Sequence, residues 1–408
     1  MPPVAILFER IGPYHFARLR AASARLQLVA LELLDRDSTY AWDLVPGSAG
    51  FDRRVLFSDL EGQAPPARDL RQRVQATLSE VQPAAVLIPG WSEPHALAAL
   101  EWCVRCRVPA VVMSETTAWD EPRKAWKEWG KRLCVRLFSA GFVGGHPHQD
   151  YLATLGLPRE RTALGYDAVD NQYFAARAEE IGKQKAESRN RYGLPEHYFL
   201  ASARFVEKKN LIRLLEAYAR YRTCGEKPEP RARSSESARP WDLVLLGDGP
   251  LRGELELRVA DLALQTAIHL PGFKQYPDLP AYYALAGAFV HASTTEPWGL
   301  VVNEAMASGL PVLVSNRCGC ARDLVEEARN GFTFDPLNVE EMANRMAQVA
   351  ATNCDRKAMG CRSREIIALW GPEAFAKGLS QAVNTALAVP VPKPSLLDRV
   401  LLQVLLRR

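Results

Sequence analysis

The chain has 408 residues, 48% hydrophobic and 24% charged, a globular composition with length enough for two ordinary domains. A formal net charge of +4 is too small for a general nucleic-acid binder. No run approaches the roughly 20 apolar residues of a membrane span, and Val4–Phe8 is too short for a secretory signal, so a cytoplasmic protein is expected.

The first half alternates apolar runs with helical stretches. Val4–Glu9, Leu28–Leu33, Ala84–Pro89, Val108–Ser114 and Gly141–Gly144 read as buried strands, with helices such as Ala67–Val81 and Pro94–Cys106 between them. This predicts a mostly parallel sheet with helices on both faces. The first strand runs into ERIGPYHFARL, which lacks the G-x-G-x-x-G of a nicotinamide dinucleotide site. Gly12 lets backbone approach a ligand closely. His15 and Arg18 follow on a helix whose face meets either a substrate or only solvent. The strand Val108–Met113 is followed by Glu115, which either takes a polar role there or caps the next helix. Arg123 to Arg136 then holds six basic residues and one acidic residue. Trp126, Trp129, Leu133 and Leu137 recur at helical spacing within and just after it. Such a helix lies on an anionic membrane surface, or packs its stripe into the domain and turns its lysines to water.

The segment GYDAVDNQYF, from Gly165 to Phe174, leads towards a second domain, with the boundary expected between Asp170 and Ser188, where the chain is charged and lacks apolar periodicity. Tyr198–Ala203 reads as a strand. Leu211–Tyr221 reads as a helix with Leu211, Leu214, Leu215 and Tyr218 on one face, preceded by Arg204 and Lys209. Thr223 to Pro240 is polar and Pro-rich, a surface loop by composition. Asp242–Leu246 reads as a strand ending in Gly247-x-Gly249, where Arg252 occupies the place of a third glycine and again argues against a dinucleotide. Further helices are expected at Asn338–Ala350 and Trp370–Ala388. Leu396–Leu406 is almost wholly apolar, follows VPVPKP and precedes Arg407-Arg408; it is expected to dock in a headgroup region or against the protein. The eight cysteines form no disulfide framework, the seven histidines show no ligand spacing, and Cys103-x-x-Cys106 lies far from Cys318-x-Cys320. No metal is expected.

The most informative stretch is His291 to Asn316, HASTTEPWGLVVNEAMASGLPVLVSN. An apolar strand at Ala288–Ala292, a helix at Leu300–Ser308 stopped by Gly309 and Pro311, and a strand at Pro311–Ser315 make a βαβ unit. Ligands gather at the carboxyl end of the first strand of such a unit. Glu296, Pro297, Trp298 and Gly299 sit there, and Glu304 follows eight residues after Glu296. The N–H groups of the helix start lie between the two carboxylates and favour an anion. Phosphates in the middle and hydroxyls at both ends describe a nucleotide sugar.

In this setting Glu296-x7-Glu304 resembles the signature of retaining GT-B glycosyltransferases of the "group 1" type, glycosyltransferase family 4. The resemblance covers about Glu9 to Ala388 and is strongest from Tyr198 to Phe334. It implies an α/β GT-B fold with two Rossmann-like domains facing across a cleft. The acceptor-side domain would span 1–170 and the nucleotide-sugar domain 188–372, with helices over 373–408 returning to the first. The implied reaction moves a hexosyl unit from a nucleotide sugar to an acceptor hydroxyl with retention, in glycolipid or cell-surface polysaccharide synthesis. Glu296 would grip sugar hydroxyls and Glu304 the ribose. Arg204, Lys209 and the amides near Trp298, Gly299 and Leu300 would hold the diphosphate, with Gly12 and Gly247 beside the donor. His15 and Glu115 would stand on the acceptor side.

The chain departs from the family in two places. Ala203 replaces a usual glycine before Arg204. Ser114, Glu115, Thr116 and Thr117 stand where many relatives carry a histidine, which weakens any carry-over of a catalytic histidine. No D-x-D motif is present, and neither metal nor other cofactor is expected. The implied partners are a nucleotide-sugar donor, a lipid-linked or glycan acceptor and an anionic membrane surface, without nucleic acid. That makes a peripheral enzyme on the inner face of the plasma membrane. A GT-B epimerase or phosphorylase stands as the alternative. Retention of Glu296, Glu304, Arg204 and Lys209 argues against an inactive scaffold.

Overall fold

The structure, a computed structural model, describes residues 2–34, 50–58, 65–225 and 239–406. Most of the expected Pro-rich loop, residues 226–238, and the terminal Arg407-Arg408 lie outside them. The chain forms two compact units, Met1–Asp170 joined by Trp370–Arg408, and Asn171–Leu369.

The first unit is built on β1 (Val4–Phe8), β2 (Leu28–Leu34), β3 (Asp52–Phe57), β4 (Ala85–Pro89), β5 (Ala110–Ser114), β6 (Ala140–Val143) and β7 (Thr162–Leu164). They form one parallel sheet in the order β3-β2-β1-β4-β5-β6-β7. Its inner strands are continuous apolar runs because helices cover both faces. The apolar pattern did not reveal β3, DRRVLF, which is an edge strand with one neighbour and can carry charge. Helix Pro372–Ala388 closes this unit, with Phe375, Leu379 and Val383 in the same core as β1 and β6. Helix Leu396–Leu405 joins it through Leu402 and is capped by Ser395, whose Oγ accepts the Asp398 N–H at 3.2 Å.

The second unit has β8 (Tyr198–Ser202), β9 (Asp242–Leu246), β10 (Ile268–Gly272), β11 (Ala288–His291), β12 (Val312–Ser315) and β13 (Gly331–Phe334). The sheet is again parallel, in the order β10-β9-β8-β11-β12-β13. Leu211, Leu214, Leu215 and Tyr218 of helix Leu211–Gly225 are buried in its core as their spacing predicts. The stretch read as an aperiodic linker is instead helical over Asn171–Gly182. Its Phe174 is buried against Tyr276 and Tyr283, and only Phe174 and Ala178 of this helix are buried, too few to register as a pattern.

Candidate active site

The strand order of the second unit reverses between β8 and β11, so the loops leaving these two strands share the crevice where open α/β sheets bind ligands. The loop after β8 carries Arg204 and Lys209; the loop after β11 carries Glu296. Backbone and amide bonds lock them together. Asn210, in the left-handed region at φ +58°, donates through Nδ2 to the Ala292 carbonyl at 3.1 Å and the Pro336 carbonyl at 2.7 Å. The Thr294 N–H donates to the Lys208 carbonyl at 2.9 Å.

Glu296 is the hub. The Lys209 ammonium bonds to its Oε2, which also accepts the Ser293 hydroxyl at 3.2 Å and lies 3.4 Å from His291 Nε2. Burial alone would raise this carboxyl. The His291 hydrogen bond and the Lys209 charge outweigh it and hold Glu296 well below the usual carboxylate range. His291 is pushed down, chiefly by burial and further by Lys209, so it stays neutral at pH 7. A carboxylate is thus kept ionised in a nearly closed setting.

The loop itself is clamped from β12. The Gly319 N–H donates to the Glu296 carbonyl at 3.0 Å, and the Cys320 N–H to the Trp298 carbonyl at 3.3 Å. Trp298 is buried and its indole N–H donates to Asn303 Oδ1 at 2.9 Å, so its side chain holds the wall while its backbone borders the helix start. Gly299, at φ +106°, makes the turn into helix Leu300–Ala307, a conformation that L side chains rarely adopt.

Glu304 lies on that helix with 1% of its surface exposed and accepts the Tyr283 hydroxyl at 2.5 Å. Burial and the neighbouring Glu304 push the Tyr283 phenol well above its ordinary value, so it remains a donor. Sequence reading passed over Tyr283 because it sits in an apolar helix, Leu279–Leu285, where a tyrosine reads as core. Gly247 contributes in another way. At φ +128°, a Cβ there would stand 1.8 Å from the Ala203 carbonyl oxygen, so the glycine allows the Arg204 loop to lie directly on the turn after β9. The Ala203 and Phe205 N–H groups then bond to Leu246 and Asp248 carbonyls at 3.0 and 2.9 Å, fixing the backbone on both sides of the exposed Arg204.

The remaining predicted residues belong to the first unit. Gly12 precedes helix Pro13–Ser23 and donates its N–H to His15 Nδ1 at 3.3 Å. The His15 ring lies 4.7 Å from Phe8, and burial with the Arg18 charge lowers its pKa to about 3. The solvated face considered for Arg18 is not observed. Arg18 is 2% exposed, donates through Nε to the Ala168 carbonyl at 2.7 Å and stands 3.7 Å from Asp167. Glu115 does not cap the next helix, which begins at Ala125. It neighbours Asp167 instead, and burial together with the Glu115 charge raises Asp167 well above the carboxylate norm, against the pull of Arg18. Among the described residues no cluster of three or more His, Cys, Asp or Glu is placed to hold a metal ion.

The class of fold follows from the two parallel Rossmann-like sheets, and solved structures agree with it. The chain superposes on the Anabaena protein HepE in complex with UDP, TM-score 0.68 at 16% identity, over 94% of this chain and all of that one. It also superposes on sucrose-phosphate synthase from Thermosynechococcus elongatus, TM-score 0.71 at 18% identity, covering 93% and 98% of the two chains. The fold is GT-B. The sequence pattern of the family described as "Glycosyl transferases group 1" matches residues 184–366, which is nearly the whole second unit.

Among curated proteins the chain is 28% identical to the alpha-D-kanosaminyltransferase of Streptomyces kanamyceticus, over 56% of this chain and 55% of that one. It is 29% identical to the GDP-mannose-dependent alpha-(1-6)-phosphatidylinositol monomannoside mannosyltransferase of Mycobacterium tuberculosis, over 48% of this chain and 50% of the relative. The match therefore spans about half the length of these relatives.

Proposed function

We propose that the chain is a retaining glycosyltransferase of family 4, moving a hexosyl unit from a nucleotide sugar to an acceptor hydroxyl. The observation that carries this is the ionised Glu296–Lys209 pair at the β8/β11 switch point, beside Arg204 and a helix start, inside the stretch that matches group 1 glycosyltransferases. As the bond from the sugar's anomeric carbon to the diphosphate oxygen breaks, negative charge grows on the leaving group. Arg204, Lys209 and the amides from Trp298 to Leu300 stabilise it. Lys209 has three N–H donors and can serve Glu296 and a phosphate oxygen together. Glu296 accepts sugar hydroxyls. Glu304 accepts ribose hydroxyls, sharing or displacing the Tyr283 bond. Residues of the first unit, with Glu115 and His15 as candidates, receive the acceptor. No metal or other cofactor enters this scheme.

The mannosyltransferase relative is named for a phosphatidylinositol mannoside, which supports a lipid-linked acceptor and a place in glycolipid or cell-surface polysaccharide synthesis on the cytoplasmic face of the membrane. The test is acceptor-dependent release of nucleoside diphosphate from UDP, GDP and ADP sugars, with the product's anomeric configuration read by NMR. Retention is expected. Conversion of the donor to an epimer without acceptor, or to a sugar phosphate with inorganic phosphate, would replace transfer by the other two GT-B chemistries.

A further inference from the structure

The stripe Trp126, Trp129, Leu133 and Leu137 does not behave as one face. Leu133 and Leu137 are buried in the core of the first unit, while Trp126 is 67% and Trp129 53% exposed. Large indoles left in water at this level are unusual for a helix that has already buried its apolar side. The second amphipathic segment behaves likewise. Helix Leu396–Leu405 turns Leu402 into the core and leaves Leu396 80%, Leu397 48%, Val400 52% and Val404 48% exposed.

The two helices touch. Arg136, which follows helix Ala125–Val135, donates through Nε to Asp398 Oδ1 at 2.7 Å and through its terminal nitrogen to Ser395 Oγ at 3.1 Å. Arg136 lies seven residues beyond Trp129, two turns along one helix face, or about 10 Å. The exposed indoles therefore lead directly to the N-terminal turn where Leu396 and Leu397 stand.

Charge says what covers this surface. Arg123 and Lys131 are spent on Asp120, Glu121 and Glu128. Lys131 is thus not available to face a membrane. Lys124, Lys127, Arg132 and Arg399 are exposed and have no ion-pair partner among the described residues, and the Lys127 ammonium lies 5.9 Å from the Trp126 ring centroid. Protein interfaces favour tryptophan but are depleted in lysine. Tryptophans and aliphatics ringed by lysine and arginine suit the headgroup layer, where the rings sit at the polar boundary and the long cationic side chains reach phosphates.

The geometry points to a two-helix membrane-docking surface on the first unit, made by Trp126, Trp129, Leu396, Leu397, Val400 and Val404, that inserts into one leaflet of an anionic bilayer. Among the described residues no helix is long and apolar enough to cross a membrane, so attachment through this surface is peripheral. The surface deepens the proposed function by bringing the enzyme to a lipid-borne acceptor, but it stands on residues outside the donor site and can fail separately.

The experiment is sedimentation of the full chain with vesicles of phosphatidylcholine alone and of phosphatidylcholine with about 30% phosphatidylglycerol. Binding is expected with the anionic vesicles and should weaken roughly tenfold when salt is raised from 0.1 to about 0.5 M. The W126S/W129S variant and the L396S/V400S variant should each lose binding at least about tenfold, with urea midpoints unchanged because the side chains are exposed. K124S/K127S/R132S should lose the preference for phosphatidylglycerol. Nucleotide binding by all three variants should match the wild type, which separates this surface from the donor site. Equal, negligible pelleting with both vesicle types would overturn the inference. So would a dimer in ultracentrifugation that W126S/W129S dissociates without any vesicle binding.

Discussion

The two units share one architecture and fill their strand ends in opposite electrostatic ways. In the second unit the carboxylate at the end of β11, Glu296, is paired with a cation and a histidine and held ionised. In the first unit two groups near the strand ends are shifted towards their uncharged forms. His15 is driven down to about 3, and Asp167 is raised well above its norm although Arg18 stands 3.7 Å away. The same topology thus serves one unit that holds Glu296 ionised and one that disfavours charge on His15 and Asp167. Under the proposed function a charged diphosphate would meet the first arrangement and a neutral hydroxyl acceptor the second.

Five changes sharpen or break this contrast. The largest effect is expected from replacing both Arg204 and Lys209 by alanine. It should cut kcat/KM on a matched donor and acceptor by about two to three orders of magnitude while the fold persists, because the charge they meet grows in the transition state. An unchanged kcat/KM would remove the phosphate role.

Gly247→Ala comes next. The added Cβ must clear the Ala203 carbonyl at a strained φ, so about 2–3 kcal/mol should be lost in urea unfolding, and nucleotide affinity should fall as the Arg204 loop moves. Glu304→Ala should weaken nucleoside diphosphate binding by about 1–3 kcal/mol in calorimetry. Normal binding would mean that Glu304 does not meet the ribose.

The smallest effects are the pH slopes of the first unit. His15 has a folded pKa below its unfolded value, so between pH 6.5 and about 3 the unfolded chain binds the proton that the folded chain refuses. Its contribution therefore falls as pH falls through that window, and His15→Asn should flatten the urea midpoint there. Asp167 is opposite. Its folded pKa is raised, so the folded chain keeps a proton the unfolded chain has lost, and stability declines as pH climbs from about 4. Asp167→Asn should abolish that decline. Glu296, held low, should add stability above the usual carboxylate range and lose it progressively as pH falls below about 4.5.

The elements carrying the second site were legible because they are regular. The strand–loop–helix–strand run from Ala288 to Ser315 and the helix after Lys209 are periodic, and they formed within a residue or so of their expected ends, except that the helix beginning at Leu211 runs on to Gly225. What the sequence did not show was contact across the fold. Tyr283 meets Glu304 because two separate helices pack together, and Asp167 meets Glu115 because the sheet order brings the segments after β5 and β7 near each other. Helix Ala125–Val135 shows a second limit. Spacing identified its stripe but not that Leu133 and Leu137 would be buried while Trp126 and Trp129 stay in solvent.

The central claim is that the second unit binds a nucleotide sugar through Glu304, Lys209 and Arg204. Thermal unfolding of the full chain against UDP, GDP and ADP and their sugars tests it most directly. One nucleotide should raise the midpoint in a saturable way, corresponding to about 2.7 kcal/mol at a hundred times its Kd, with the shift lost in Glu304→Ala and in the Arg204/Lys209 double variant. No shift with any of the three nucleotides, or an equal shift in wild type and both variants, would contradict it.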